Sequence, residues 1–222
     1  MTIAPSHPSP AQRISKIAEF VKKHLFAKAA EFPSEYHNPV YRWEHTLRVA
    51  QWGKQLAEAE GANVEIVVAG SLLHDIAHFE SDDDYKDHGR RGARIIRPFL
   101  EDLSYTSEQV DNLCFAVAYH VDDDAGFDHP KTIEAQCVTD ADNLDRFGVY
   151  RILQWCVPEM DDFPRLIEKL GQRVEQLRGY RARDKVLETT SGNRLFRDQL
   201  DRQIAFFQGL IDEYGATVMP EL

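Results

Sequence analysis

An apolar run from Val64 to Leu73 breaks without a spacer into His74-Asp75-Ile76-Ala77-His78, and no other stretch constrains the fold so tightly. A helix that is apolar almost all the way round has to be buried, so this segment, expected to run on to about His78, belongs at the centre of the molecule. On such a helix His74 and His78 share a face, with Asp75 about a hundred degrees round from them. An imidazole nitrogen and a carboxylate oxygen held together in apolar surroundings suit a divalent metal. A His-Asp pair also ends many solvated helices, so the rest of the chain must supply the partners.

The flanking sequence reads as helix throughout. Ile14, Ile17, Val21 and Leu25 recur at helical spacing between Gln12 and Glu31, and Pro33 and Pro39 bracket a loop. Val40 to Glu60 follows, with Trp43, Leu47, Ala50 and Lys54 as its expected stripe and Gly61 as its C-terminal cap. Ser81-Asp82-Asp83-Asp84 reads as an acidic loop, and Gly89 to Leu103 as a helix bent near Pro98. Thr106-Ser107-Glu108-Gln109 reads as a capping box opening a helix that reaches His120. Further helices are expected over Ile133–Phe147, Val149–Val157, Phe163–Arg178 and Leu195–Tyr214. No stretch alternates strictly, so the fold class is all-α: a loose tail over residues 1–12, then one helical domain over 13–222.

Composition narrows the partners. A formal net charge of -11 repels nucleic-acid backbones and anionic membranes, which argues against long nucleic acids and membrane surfaces and leaves small anions open. Cys114, Cys137 and Cys156 are odd in number and widely spaced, as buried thiols in a reducing compartment would be. No stretch is long and apolar enough to span a bilayer, and the Pro- and Ser-rich start has no apolar core, so the cytoplasm is the expected location. A homodimer is compatible with all of this.

Five histidines stand beside apolar helix faces: His45, His74, His78, His88 and His120, whereas His7, His24, His37 and His129 read as surface residues. Asp140-Ala141-Asp142-Asn143-Leu144-Asp145 sets Asp142 among apolar neighbours, where a carboxylate requires a cation or several donors. A histidine on one helix, His-Asp after an apolar helix, then Asp-Ala-Asp-Asn-Leu-Asp resembles the HD superfamily of metal-dependent phosphohydrolases. The resemblance covers about His45 to Tyr150 and implies an HD-type helical bundle, with a motif core over about 40–150 and C-terminal helices over 151–222.

The resemblance also implies His45, His74, Asp75 and Asp142 as ligands of Mn, Fe, Ni, Co or Mg. His88 and His120 fall where two-metal members carry further histidines, so one or two ions per chain are expected; the alternatives are a phosphate contact, a helix cap or a satisfied core histidine. Two positions depart from that pattern: Tyr41 stands where a Glu is frequent, and Tyr119-His120 where His-His is. Asp75 and His78 are the expected catalytic groups, Asp75 orienting water and His78 or His120 moving the proton. Arg48, Arg146 and Arg91 are the expected substrate contacts, since guanidinium binds phosphate bidentately. The expected activity is hydrolysis of a small phosphate ester such as a nucleotide. Di-iron oxygenation of a small molecule and a non-catalytic, metal-stabilised regulatory domain are the alternatives.

Overall fold

In a computed structural model, which describes residues 8–32, 38–80 and 87–219, every regular element is helical. His7, His37 and the acidic stretch at 81–84 lie outside those residues. The helices are α1 (Pro10–Glu31), α2 (Pro39–Glu60), α3 (Val64–Leu73), α4 (His88–Asp102), α5 (Ser107–Tyr119), α6 (Ile133–Arg146), α7 (Tyr150–Cys156), α8 (Phe163–Arg181) and α9 (Thr190–Gly215). They group into two compact units divided inside α6, between Asp142 and Asn143.

In the first unit α3 is the centre. Ile66, Val67, Ala69, Gly70, Ser71, Leu72 and Leu73 are all buried, and α1, α2 and α5 pack around it. Such complete burial follows from an apolar surface that has no polar side to give to water. The helix ends at Leu73, short of the expected His78. Beyond it Ile76, His78 and Glu80 donate their amides three residues back, to Leu73, Asp75 and Ala77, a tighter winding than the α-helix. The His-Asp pair therefore sits on this turn.

The α2 stripe is also displaced from the expected one. Its buried face is His45, Thr46, Val49, Ala50, Gly53, Leu56 and Ala57, while Leu47 is 41% exposed and Lys54 faces solvent. Gly53 meets Ser71 and Val67 of α3, and that close approach sets the face. Pro39 is the first residue of α2 and Pro10 of α1, where a missing amide costs nothing, so helix begins inside the expected tail. Pro98 does not interrupt α4. It and Arg94, whose carbonyl loses its helical partner, both face solvent. Thr106 and Gln109 form the expected capping box, and Gly61 caps α2 at φ 71°.

The second unit is organised by α8 and α9, which bury Leu166, Leu170, Val174 and Leu177 with Phe196, Leu200 and Phe207. Gln203, fully buried, donates to the carbonyls of Phe147 and Gly148 and fastens the end of α6 to α9.

Candidate metal centre

Five stretches of the first unit bring their polar side chains to one buried place. His45 comes from mid-α2, His74 and Asp75 from the turn after α3, His88 from the first residue of α4, His120 from the end of α5, and Asp142 from α6. Each is at most 8% exposed. Gly89 makes the approach of α4 possible, because a side chain there would strike the Val117 and Ala118 carbonyls at 2.9 and 2.8 Å.

The donor atoms form two sets that share one residue. In the first, His45 Nε2 lies 3.2 Å from His74 Nε2, 3.5 Å from Asp75 Oδ2 and 3.3 Å from Asp142 Oδ1. His74 Nε2 lies 3.3 Å from the same Asp75 oxygen and 3.9 Å from Asp142. In the second, His88 Nε2 is 3.2 Å from His120 Nε2 and 3.0 Å from Asp75 Oδ1, with His120 3.7 Å from that oxygen. One carboxylate thus turns each of its oxygens toward a different pair of imidazoles.

The protons fit this arrangement. His74 Nδ1 donates to the Ser71 carbonyl and His120 Nδ1 to the Val117 carbonyl, both at 2.7 Å. Those bonds fix the tautomer and leave each Nε2 with a lone pair aimed inward. Bare nitrogens and carboxylate oxygens about 3 to 4 Å apart are the edges of a polyhedron around an ion held at roughly 2.0–2.3 Å, so the residues fit divalent cations. With imidazole and carboxylate donors and no thiolate, the set suits first-row transition ions or magnesium. Burial opposes ionisation of Asp75, but Arg42, His74, His120 and His45 outweigh it and hold the carboxyl well below the usual range. Burial likewise opposes ionisation of Asp142, and the adjoining His45 and His74 overcome it and hold the carboxyl below the usual range.

Of the expected site residues, His45, His74, Asp75, Asp142, His88 and His120 converge. Beside them, against Arg42, lies His78. Arg42 Nη2 donates to its Nε2 at 2.7 Å while Nη1 donates to Asp75 Oδ2. Burial pushes the His78 ring down to about 3, Asp75 opposing and the Arg42 charge assisting. It is therefore neutral at physiological pH and accepts from Arg42, so it has no proton to give at that nitrogen. Arg42 was not anticipated. Its signal is its place one turn before His45 on the face that carries it.

Arg48 lies over the Tyr41 ring at 6.0 Å, Arg91 is 3.8 Å from Asp87, and Arg146 is exposed and lines a cleft of the second unit. Arg90, Arg94 and Arg97 are engaged by Asp87, Asp122 and Asp111, as a solvated charged face would be. His24 meets Glu80 at 2.7 Å, and His129 stacks on Phe115.

No helix among the described residues is long and apolar enough to cross a membrane. Residues 42–146 match the family model of the HD domain. The chain is 30% identical over 138 residues to Ribonuclease Y of Treponema denticola, which spans 61% of this chain and only 24% of that protein. The fold is similar to an HD superfamily hydrolase from an uncultured Thermotogales bacterium, at TM-score 0.63 and 19% identity over 90% of this chain and 92% of the other. It is also similar to an HD-superfamily hydrolase from Bacillus thuringiensis, at TM-score 0.63 and 18% identity over 94% and 100%. Bacillus subtilis YpgQ, solved with ADP, aligns at TM-score 0.60 and 17% identity over 92% and 96%. All six donors lie within residues 42–146, the segment that matches the family model, and that segment of the chain is an HD domain.

Proposed function

We propose that this protein is a metal-dependent hydrolase acting on a phosphate ester of a small molecule, a nucleotide or a similar metabolite. The observation that carries the reading is the division of the Asp75 oxygens between His45–His74 and His88–His120. A carboxylate so shared, with Asp142 completing the first set, would hold two cations side by side. Bound there, the cations supply an acidified water and a Lewis acid for a phosphoryl oxygen. The chain's own residues supply the rest. Asp75 and Asp142 are kept ionised, the Nδ1 bonds of His74 and His120 keep both rings aimed, and the helices exclude bulk water. Arg42 is the cation nearest to Asp75 and the best-placed side chain to meet a substrate oxygen.

Several features favour a small phosphate ester. The surface is acidic, which disfavours long polyanions. YpgQ was solved with ADP, and Ribonuclease Y is by name a nuclease, so phosphate esters are the common thread. The test is reconstitution of chelator-treated protein with manganese, iron or magnesium, followed by phosphate release from mononucleotides, phosphosugars and duplex RNA and by elemental analysis. Metal-dependent release from small esters, with up to two ions per chain, is the expected result. His88→Ala with His120→Asn should lower the metal count by about one. Iron-dependent oxygen uptake without phosphate release would replace the reading with an oxygenase, and tight metal with neither activity would leave a regulatory domain. Preferential cleavage of polynucleotides would overturn the small-molecule assignment.

A further inference from the structure

The second unit has an open cleft of about 840 Å³ whose walls come from the end of α6, α7, the 3₁₀ turn Val157–Glu159 and α8. Four cationic side chains line it, Arg146, Arg151, Lys169 and Arg173, against a single carboxylate, Glu159. On a chain of net charge -11 such a concentration is out of character, and repulsion among like charges works against it. Glu159 does not balance it, because it is shared between Lys169 and the exposed Arg165, 3.1 Å away.

Arg173 is the decisive residue. It is 7% exposed, its guanidinium lies 5.1 Å from the Phe147 ring centre and 4.8 Å from that of Trp155, and its protein hydrogen bond is to Gln176 at 2.5 Å. No carboxylate among the described residues pairs with it, and its buried Nε has no partner. Burying a guanidinium is costly unless its charge and its donors are met. The two aromatic faces meet part of the charge and hold the plane of the group fixed. They leave the Nε–H, on a residue that lines the cleft, unspent. Burial with the nearby Arg151 charge even lowers the affinity of Arg173 for its proton, the mark of a cation short of an anion.

We propose that this cleft is a binding site for a small phosphate-bearing anion, with Arg173 as its fixed fork and Arg151 and Lys169 as flanking cations. Guanidinium matches phosphate oxygens in pairs, and an aromatic clamp holds it ready for that contact without further loss of rotamer freedom. Gln154 and Gln176, whose Oε1 atoms accept from Arg151 and Arg173, and Gln172, which donates to Glu168, also line the site and keep amide capacity for hydroxyl or amide edges beside a phosphate. A nucleotide and a phosphosugar share that chemistry. The site is defined by its own residues and does not depend on the metal-dependent hydrolysis proposed above.

Isothermal titration of the full chain in excess chelator, with pyrophosphate, AMP, ATP and glucose 6-phosphate as probes, separates the two proposals, since binding is read without metal or turnover. Saturable binding of at least one phosphate compound is expected, weakened about tenfold or more in Arg173→Met, a variant that keeps the apolar contact with both rings. Arg151→Gln with Lys169→Gln, on the outer wall, should weaken it too if Arg173→Met folds poorly. Affinity for AMP well above that for pyrophosphate would identify a nucleoside ligand, and the reverse a bare phosphate group. Absence of binding to the wild-type chain at millimolar probe, or binding unchanged in both variants, would overturn the assignment.

Discussion

Arg42 shows how much turns on one side chain. It donates to Asp75 Oδ2 and to His78 Nε2 together, so it screens the shared carboxylate, and in the proposed hydrolase it is the side chain that meets the substrate. Arg42→Met is expected to leave the metal content unchanged and to lower kcat/KM by about ten- to a hundredfold, measured on a small phosphomonoester. Arg42→Lys should recover part of that loss as a point charge without the fork. His45, His74, Asp75 and Asp142 stood out as polar residues beside apolar helix faces, and the resemblance to a known family named them as ligands; His88 and His120 stayed open between a second ion, a phosphate contact, a helix cap and a core histidine. Arg42 did not stand out, because Arg48 lies as close to His45 in sequence. The choice between them rests on direction: side chains on a helix lean toward its N-terminus, so His45 reaches toward the turn of Arg42.

The elements carry a different kind of information. Helix positions followed from apolar spacing and from caps such as Thr106 and Gly61. The short turn bearing His74 and Asp75 did not, since Ile76, Ala77 and Phe79 are buried whether the chain winds as α-helix or more tightly. The contact of α4 with α5 is equally hidden in sequence, because it rests on the absence of a side chain at Gly89. Gly89→Ala should push the two helices apart, cost about 1–3 kcal/mol in denaturant unfolding and weaken the second metal before the first, since it separates His88 from His120. A tie between α1 and α3 carries a pH signature. Arg13 donates to Glu65 at 2.6 and 2.8 Å, which holds the Glu65 carboxyl below its ordinary 4.5. A depressed carboxylate stabilises the fold above its unfolded pKa and ceases to do so as pH falls through the folded one. Wild-type protein should therefore lose more stability than Arg13→Met between about pH 5 and 3, by an amount below about 1 kcal/mol for so accessible a pair.

At the scale of the whole molecule, a first unit whose core is mostly apolar should fold without metal and be tightened by it. Thermal unfolding followed by circular dichroism should keep its helical signal in chelator and shift upward with added manganese, by about 2.7 kcal/mol of stability when the free ion is a hundred times its Kd. Collapse of the helical signal in chelator would mean that the ions build the fold. The bonds from His74 to the Ser71 carbonyl and from His120 to the Val117 carbonyl bear on how such experiments are read. Each ring finishes its own helix, closing a carbonyl that the last turn leaves open, and the same bond steers its other nitrogen. Anchorage and coordination are thus one act, performed from opposite edges of a single imidazole. Alanine at either position removes a rivet as well as a ligand. Asparagine, which can still reach the carbonyl, separates the loss of an ion from the loosening of a helix end.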